Sequence, residues 1–377
     1  MKICIISNSH HTTDVRLYYK LARSLAKLGK VCLLSTSGVR NSTVNPYQVV
    51  VDAESNRYAL VLLYKEAVKT KPDLVICVEP LTMFVGLALR RKLRCKVIFD
   101  VHEFFADAFA EKFPAPVSWL MKPLYLCFER WLQRMADGTI GVNDEILDQL
   151  IPSKQRDKAV TIPNYPVKNV WDYYCDMPGD LSTLCDMRFD LIYIGGLTAD
   201  RGVFKMLKSI YLLKKDYPHL NVLILGRFFS QEVEKEFIRQ ITDWNLTAIV
   251  YHQKWLPAEK IGLLLKRSKV GLWLFNPQNR RMRKAVPLKV LEYYAAGLPV
   301  VSINTPLMRD LVEKNGLGFC CDYQSASIAK AVSKLLDMPA QDYQAMSDKA
   351  KALIEEHYNW EALEPRLFEL ITKLTDK

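Results

Sequence analysis

Tyr193–Gly202 reads YIGGLTADRG. Two glycines end an apolar run, a short turn follows, and Arg201-Gly202 opens a stretch in which Phe204, Met206 and Leu207 recur at helical spacing. A strand that passes through glycines into a helix is the first half of a β-α-β unit, and the unpaired N–H groups at such a helix start hold an anion readily. An arginine beside them adds charge-assisted, bidentate phosphate binding. Gly195, Gly196 and Arg201 are therefore read as a diphosphate site, the alternative being a glycine turn with a surface arginine. The glycines carry weight because the 377-residue chain has only fifteen, well below the usual ~7%.

Outward from this turn the same alternation repeats. Strand-like runs at Leu191–Ile194, Asn221–Leu225, Ala248–Tyr251, Val270–Phe275 and Val300–Ile303 are separated by helical patterns at Val203–Lys214, Gln231–Thr242, Ala258–Lys266 and Leu288–Ala296. Upstream, Lys2–Ser7, Val31–Ser35, Leu74–Val78, Val97–Val101, Thr139–Val142 and Val160–Pro163 read as strands, with helices at Asp14–Leu28, Ala59–Lys69, Leu81–Leu93, Ala115–Met135 and Glu145–Ile151. Strand and helix in alternation mean a parallel sheet covered on both faces. The fold class is α/β, with two Rossmann-like, doubly wound parallel-sheet domains facing a cleft. The expected divisions are 1–168, a Pro-containing linker at 169–188, a second domain at 189–357, and a C-terminal helix at 358–377 that either caps the second sheet or crosses back to the first. Ligands of open parallel sheets sit beyond the carboxyl ends of the strands, so the motifs should follow strands.

Composition bounds the function. Half the residues are hydrophobic and a quarter charged, as in a folded globular protein. The net charge of +11 favours anionic partners. That surplus is diffuse, +5 over residues 1–180 and +6 over the rest, and no RNA- or DNA-binding motif accompanies it, so a specific nucleic-acid partner is not expected. Nine scattered cysteines without a C-x-x-C pair read as reduced cytosol and not as a zinc site or disulfide scaffold. The start, MKICIIS, is too short for a signal-peptide core, and no run approaches the ~18 apolar residues of a membrane span.

A second motif follows at Pro287–Val301, PLKVLEYYAAGLPVV. Proline opens a helix, Lys289 and Glu292 share one face, and Gly297 ends it before a buried strand. With the glycine-basic turn, this P-x-K-x-x-E-Y-x-A-x-G-x-P-V-V pattern resembles the nucleotide-sugar glycosyltransferases of the GT-B fold, specifically the large retaining family 4. Asp100–Glu103 (DVHE), Thr139–Asn143 (TIGVN) and Val160–Asn164 (VTIPN) resemble that family's first-domain strand ends. The resemblance implies that Glu292 binds the ribose hydroxyls, as a carboxylate suits a vicinal diol, and that Arg201 pairs with the donor diphosphate. It implies that His102 contacts the donor sugar, donating a hydrogen bond without a permanent charge. It also implies that the acceptor attacks on the face the leaving phosphate departs from, with that phosphate taking the proton, so no protein base is expected.

Two positions depart from the pattern. Gly196 stands where many members have arginine, and Lys284 where many have glutamate. Lys289 is expected to supply the missing diphosphate charge, which makes His102, Arg201 and Lys289 the candidate catalytic groups. Lys284 lies in Asn279–Lys284, NRRMRK, where Arg280, Arg281, Arg283 and Lys284 form either a solvated basic loop or a second anion site for a lipid diphosphate or uronic acid. The loop after the first strand, HHTTDVR at His11's neighbourhood from His10 to Arg16, lacks glycine. Side chains must therefore recognise the acceptor there, and His10, Asp14 and Arg16 are the candidates; Asp14 reads equally as a helix N-cap. Adjacent histidines without a further ligand make a poor metal site, and there is no D-x-D pair. No metal and no cofactor are expected, the nucleotide sugar being a co-substrate.

Aromatic and basic residues alternate through 104–135, and Arg90–Lys96 has five positive residues in seven. This segment reads either as a buried helix or as a surface resting on an anionic bilayer. The function expected is sugar transfer from a nucleotide-diphosphate donor to a glycan or lipid-linked acceptor in capsule, lipopolysaccharide or similar cell-surface polysaccharide synthesis, in the cytoplasm or on the inner face of its membrane. The alternative is a degenerate sugar-nucleotide-binding subunit of a glycan-assembly complex.

Overall fold

The computed structural model describes residues 1–52, 56–168, 184, 186–254, 256, 258–279, 282 and 287–376. The chain forms two compact units, Met1–Asn164 with Trp360–Lys377, and Tyr165–Asn359.

The first unit is built on seven parallel strands: β1 (Lys2–Ile6), β2 (Lys30–Ser35), β3 (Tyr47–Val50), β4 (Leu74–Cys77), β5 (Lys96–Val101), β6 (Gly138–Gly141) and β7 (Ala159–Thr161), in the order β3-β2-β1-β4-β5-β6-β7. Central strands such as LVIC of β4 are buried along their whole length, the pattern of a sheet covered on both faces. The order reverses between β1 and β4, so the loops after them diverge and open a crevice. The stretch expected as one helix at Asp14–Leu28 is a helix with π-type bonding at Val15–Ala22 continued by Arg23–Leu25. Trp360–Lys377 completes this unit. The Trp360 indole N–H donates to Ser24 Oγ at 2.8 Å, and Ser24 Oγ donates to Glu364 at 2.7 Å. A side chain on Gly138 would meet Leu374 at 2.7 Å, so the helix Glu364–Thr375 lies close over β6.

The second unit holds β8 (Phe189–Ile194), β9 (Val222–Leu225), β10 (Val250–Gln253), β11 (Ser268–Trp273), β12 (Val300–Ile303) and β13 (Gly318–Cys321), all parallel, in the order β10-β9-β8-β11-β12-β13. Its order reverses between β8 and β11, beside the glycine turn.

Two strands lie where none was expected, β3 and β13. Each has four residues and stands at a sheet edge, where no long apolar run is required. Of the expected linker 169–188, only residues 184 and 186–188 lie within the described residues.

Candidate active site

Three loops meet at the carboxyl edge of the first sheet, after β1, β4 and β5. Glu79, just beyond β4, is buried, and four groups from the β1 loop converge on its carboxylate. Ser7 Oγ and Ser9 Oγ donate to Oε1 at 2.5 and 2.7 Å, the Asn8 N–H donates to Oε2 at 3.0 Å, and His10 Nδ1 lies 2.7 Å from Oε1. Burial works to raise the Glu79 pKa, but the bonds from His10, Ser7 and Ser9 outweigh it and hold the carboxyl below its usual range. For His10, burial works to lower the pKa, and the bond and charge of Glu79 outweigh it, so the imidazole is held above its usual value. His10 thus carries its proton on Nδ1, toward the carboxylate.

His10 Nε2 faces His102 Nε2 at 3.3 Å, with ring centroids 4.8 Å apart. His102 follows β5. Burial, then the Arg16 charge and His10, push its pKa down against the opposing pull of Asp100, leaving it below the usual histidine value. Its Nδ1 stands 3.8 Å from Asp100 Oδ2 and has no hydrogen-bond partner among the described residues. Asp100 is fully buried and held bidentately by Arg16, at 2.7 and 3.2 Å, while Arg16 Nη1 donates to the Ile162 carbonyl at 3.1 Å.

The structure therefore brings His10 and His102 together, with Arg16 behind them. Arg16 is only 4% exposed and its guanidinium is occupied within the protein, so an acceptor contact by Arg16 is not what the fold provides; it fixes Asp100. Asp14 accepts from the Arg16 and Leu17 N–H groups as the N-cap of the following helix. Glu79 and Asp100 were missed as site residues. The one available signal was their place, Glu79 just past a predicted strand and Asp100 at the penultimate position of the next one.

In the second unit the turn after β8 is bound from several sides. The Ile194 N–H donates to Tyr293 Oη at 2.9 Å, Tyr293 Oη donates to the Leu272 carbonyl at 3.3 Å, and Tyr193 Oη donates to the Gly196 carbonyl at 3.1 Å. A side chain at Gly196 would lie 2.3 Å from the Phe229 ring and 3.0 Å from Arg201 Nη1. The absent side chain thus leaves the Arg201 guanidinium beside the turn. Among the described residues Arg201 has no carboxylate partner. Gly202, at φ +71°, occupies the left-handed region that glycine favours, and opens the helix Val203–Leu213 with no side-chain cap; the Gly202 and Val203 N–H groups donate to the Ala199 and Thr198 carbonyls at 3.0 and 3.4 Å, and the next N–H groups of the first turn are uncapped. Gly226, not singled out in the sequence, is required by close approach: a Cβ there would sit 1.8 Å from the Gly195 carbonyl.

Lys289 and Glu292 lie in the first turns of the helix Leu288–Ala295, and Lys289 Nζ pairs with Glu292 Oε2 at 2.8 Å. Tyr293, next in sequence, bonds Ile194, so this helix and the glycine turn are one assembly. Asp200 in the turn accepts from the Asn276 and Asn279 amides at 3.4 and 3.3 Å, a tether that sequence reading missed. The four basic residues after it, Arg280, Arg281, Arg283 and Lys284, lie outside the described residues.

Comparison with known proteins bears on the whole arrangement. Residues 183–353 match the family of glycosyl transferases group 1, and residues 15–165 match glycosyltransferase family 4. The chain is 32% identical over 105 residues to the UDP-glycosyltransferase TURAN of Arabidopsis thaliana (27% of this chain, 21% of that protein). It is 23% identical over 298 residues to a glycogen synthase of Mycobacterium tuberculosis (78% and 67%). The matches with the first three relatives span only 21–44% of those proteins' lengths. Among solved structures, Anabaena HepE in complex with UDP and glucose superposes with a TM-score of 0.69 at 16% identity, over 99% of this chain and 100% of that one. Sucrose-phosphate synthase from Thermosynechococcus elongatus gives 0.70 at 16%, over 99% of each chain. With both units matched in sequence and the whole chain matched in fold, the protein belongs to the family 4, group 1 glycosyltransferases of the GT-B type.

Proposed function

We propose that this glycosyltransferase moves a sugar from a nucleotide-diphosphate donor to a glycan acceptor, lipid-linked, in cell-surface polysaccharide synthesis. The observation that carries the donor half is the joined assembly of the second unit: Glu292 and Lys289 on one helix, tied through Tyr293 to the Gly195-Gly196-Arg201 turn. A diphosphate draws Lys289 toward itself and frees Glu292 for the two ribose hydroxyls. Arg201 and the uncapped N–H groups in the first turn of the helix Val203–Leu213 neutralise the departing diphosphate, the charge that develops in the transition state. On this reading no divalent metal is needed. HepE, solved with UDP and glucose, and TURAN, named a UDP-glycosyltransferase, make a UDP-sugar the first donor to try.

The lipid half rests on the helix Ala115–Met135. No helix among the described residues is long and apolar enough to cross a membrane. Yet Val117, Leu120, Leu124 and Trp131 recur at spacings of three, four and seven, so they share one face, and all are exposed, as is neighbouring Trp119. Arg130, Arg134, Arg91 and Lys92 stand exposed on this helix and on the helix Thr82–Leu93, whose Phe84 stacks on Phe128. Aromatic and aliphatic side chains with a basic surround suit an anionic bilayer, where a lipid-linked acceptor resides.

The test is calorimetric titration with UDP-, GDP- and ADP-sugars, with and without EDTA. One of them should bind in either condition. Glu292→Ala should weaken it roughly tenfold or more, the loss expected when a charge-assisted contact goes, and Arg201→Ala should slow its turnover by roughly as much. No binding by any of the three, or binding indifferent to Glu292→Ala, overturns the reading. A donor that binds but is never turned over points instead to a degenerate binding subunit.

A further inference from the structure

We propose that Phe229 is the platform on which the donor's nucleobase stacks, so that the second unit holds the nucleotide by an aromatic face as well as by charge. This rests on the nucleotide-diphosphate reading of that unit and deepens it. Glu292 serves the ribose and Arg201 with Lys289 the diphosphate, which leaves the base without a partner.

Phe229 is 71% exposed, an unfavourable place for a phenyl ring until something covers it. Yet the chain on both sides of it is pinned. Before it, the loop after β9 runs beside the glycine turn: the Gly195 N–H donates to the Leu225 carbonyl at 2.9 Å, the Leu197 N–H donates to the Arg227 carbonyl at 2.8 Å, and Leu197 forms a parallel bridge with Phe228. The Gly226 carbonyl lies 3.0 Å from His252 Nε2, and the Phe228 ring packs on Phe237 and His252 with centroids 5.1 and 5.2 Å apart. After it, Ser230 caps the helix Gln231–Asp243, its Oγ accepting from the Val233 N–H at 3.3 Å. Phe228 therefore anchors the loop and Phe229 is left outside it, on a backbone that has little freedom to lose when a ligand binds.

The place where the ring is held is the anion site. A Cβ on Gly196 would meet Phe229 Cε2 at 2.3 Å and Arg201 Nη1 at 3.0 Å, so the ring edge and the guanidinium flank one point on the turn. A diphosphate on Arg201 brings the rest of its nucleotide beside this ring. Phenylalanine has no hydrogen-bonding group to offer the hydroxyls of a ribose or a sugar, whereas its π face suits a planar base. Stacking needs only that face, which every base has, so the platform serves uridine, guanosine and adenosine diphosphates alike, and preference among them arises elsewhere.

The test is calorimetry on the full-length protein with UDP, GDP and ADP, comparing wild type with Phe229→Ala, Phe229→Leu and Phe229→Trp, and with inorganic pyrophosphate as a competitor that has no base. Phe229→Ala should weaken each nucleotide that binds roughly 5- to 100-fold, the range that loss of one base–aromatic stack produces. Phe229→Leu keeps the apolar bulk of the loop and removes the π face, so it should lose about as much. Phe229→Trp should bind at least as tightly as wild type. The inhibition constant of pyrophosphate should stay within about twofold in all three, because Arg201 is untouched. Thermal unfolding should be unchanged, since the ring is exposed in the free protein. Unchanged nucleotide affinity in Phe229→Ala, wild-type affinity in Phe229→Leu, or a loss of pyrophosphate as large as that of the nucleotide overturns the proposal. If Glu292→Ala weakens a nucleotide that Phe229→Ala does not, this proposal falls and the parent reading stands; if the wild type binds none of the three, both fall.

Discussion

Tyr293 is fully buried and its hydroxyl serves two backbone groups, accepting from the Ile194 N–H and donating to the Leu272 carbonyl. Tyr293→Phe keeps the ring and removes both bonds. An N–H left unpaired in a buried site costs about 1–3 kcal/mol, so thermal unfolding should show a Tm lower by several degrees, and calorimetry should show weaker donor binding because the glycine turn loses its tie to the Glu292 helix. A variant with the wild-type Tm and donor affinity would remove Tyr293 from this role. At the residue scale, what the sequence disclosed followed chain distance. Lys289 and Glu292 are one helical turn apart, and Arg201 is five residues beyond Gly196, so their grouping can be read along the chain. Glu79 and Asp100 meet their partners across 69 and 84 residues. No local pattern announces such a pair, and Arg16 read as an acceptor-binding candidate until Asp100 was placed against it.

The helix Ala115–Met135 shows the same division between period and context. Its apolar residues are legible in the sequence, but which of them face the core is not. Glu129 lies on the inner side with 2% exposure, and burial, relieved in part by the Ala106 N–H and reinforced by Asp107, pushes its carboxyl up to about 7. Between the ordinary carboxylate pKa and that value the folded protein binds more protons than the unfolded chain. The stability from Glu129 is therefore fully present below about pH 4.5 and is lost as pH rises through about 7, on the order of 3 kcal/mol. Glu129→Gln keeps the acceptor for Ala106 and removes the titration. It should raise the Tm at pH 8 and leave it nearly unchanged at pH 4.5; an equal effect at both values would show that the carboxyl does not titrate in this range. The short edge strands β3 and β13 were not foreseen for a related reason. An edge strand packs against one neighbour only, so four residues without a marked pattern suffice.

At the scale of the molecule, the exposed aromatic face predicts behaviour that no single residue does. The protein should float with vesicles containing phosphatidylglycerol and not with neutral phosphatidylcholine vesicles, and the binding should weaken with salt, because the basic surround acts through screened charge. Trp119→Ser with Leu124→Ser should abolish flotation while leaving donor binding intact. Equal recovery of both vesicle types, or of neither, would show that this face serves another purpose. The two doubly wound sheets, the glycine turn and the proline-led helix are legible along the chain, because parallel strands buried on both faces must be apolar throughout and helix starts carry their own markers within a few residues. That Trp360–Lys377 completes the first sheet's unit, that Arg16 is buried against Asp100 while Asp14 caps its helix, and that His10, Glu79 and His102 stand together could not be read along the chain. Those relations depend on strand order, which places β1 beside β4 and β4 beside β5, and on burial, which sets the charge of each group once its neighbours are fixed.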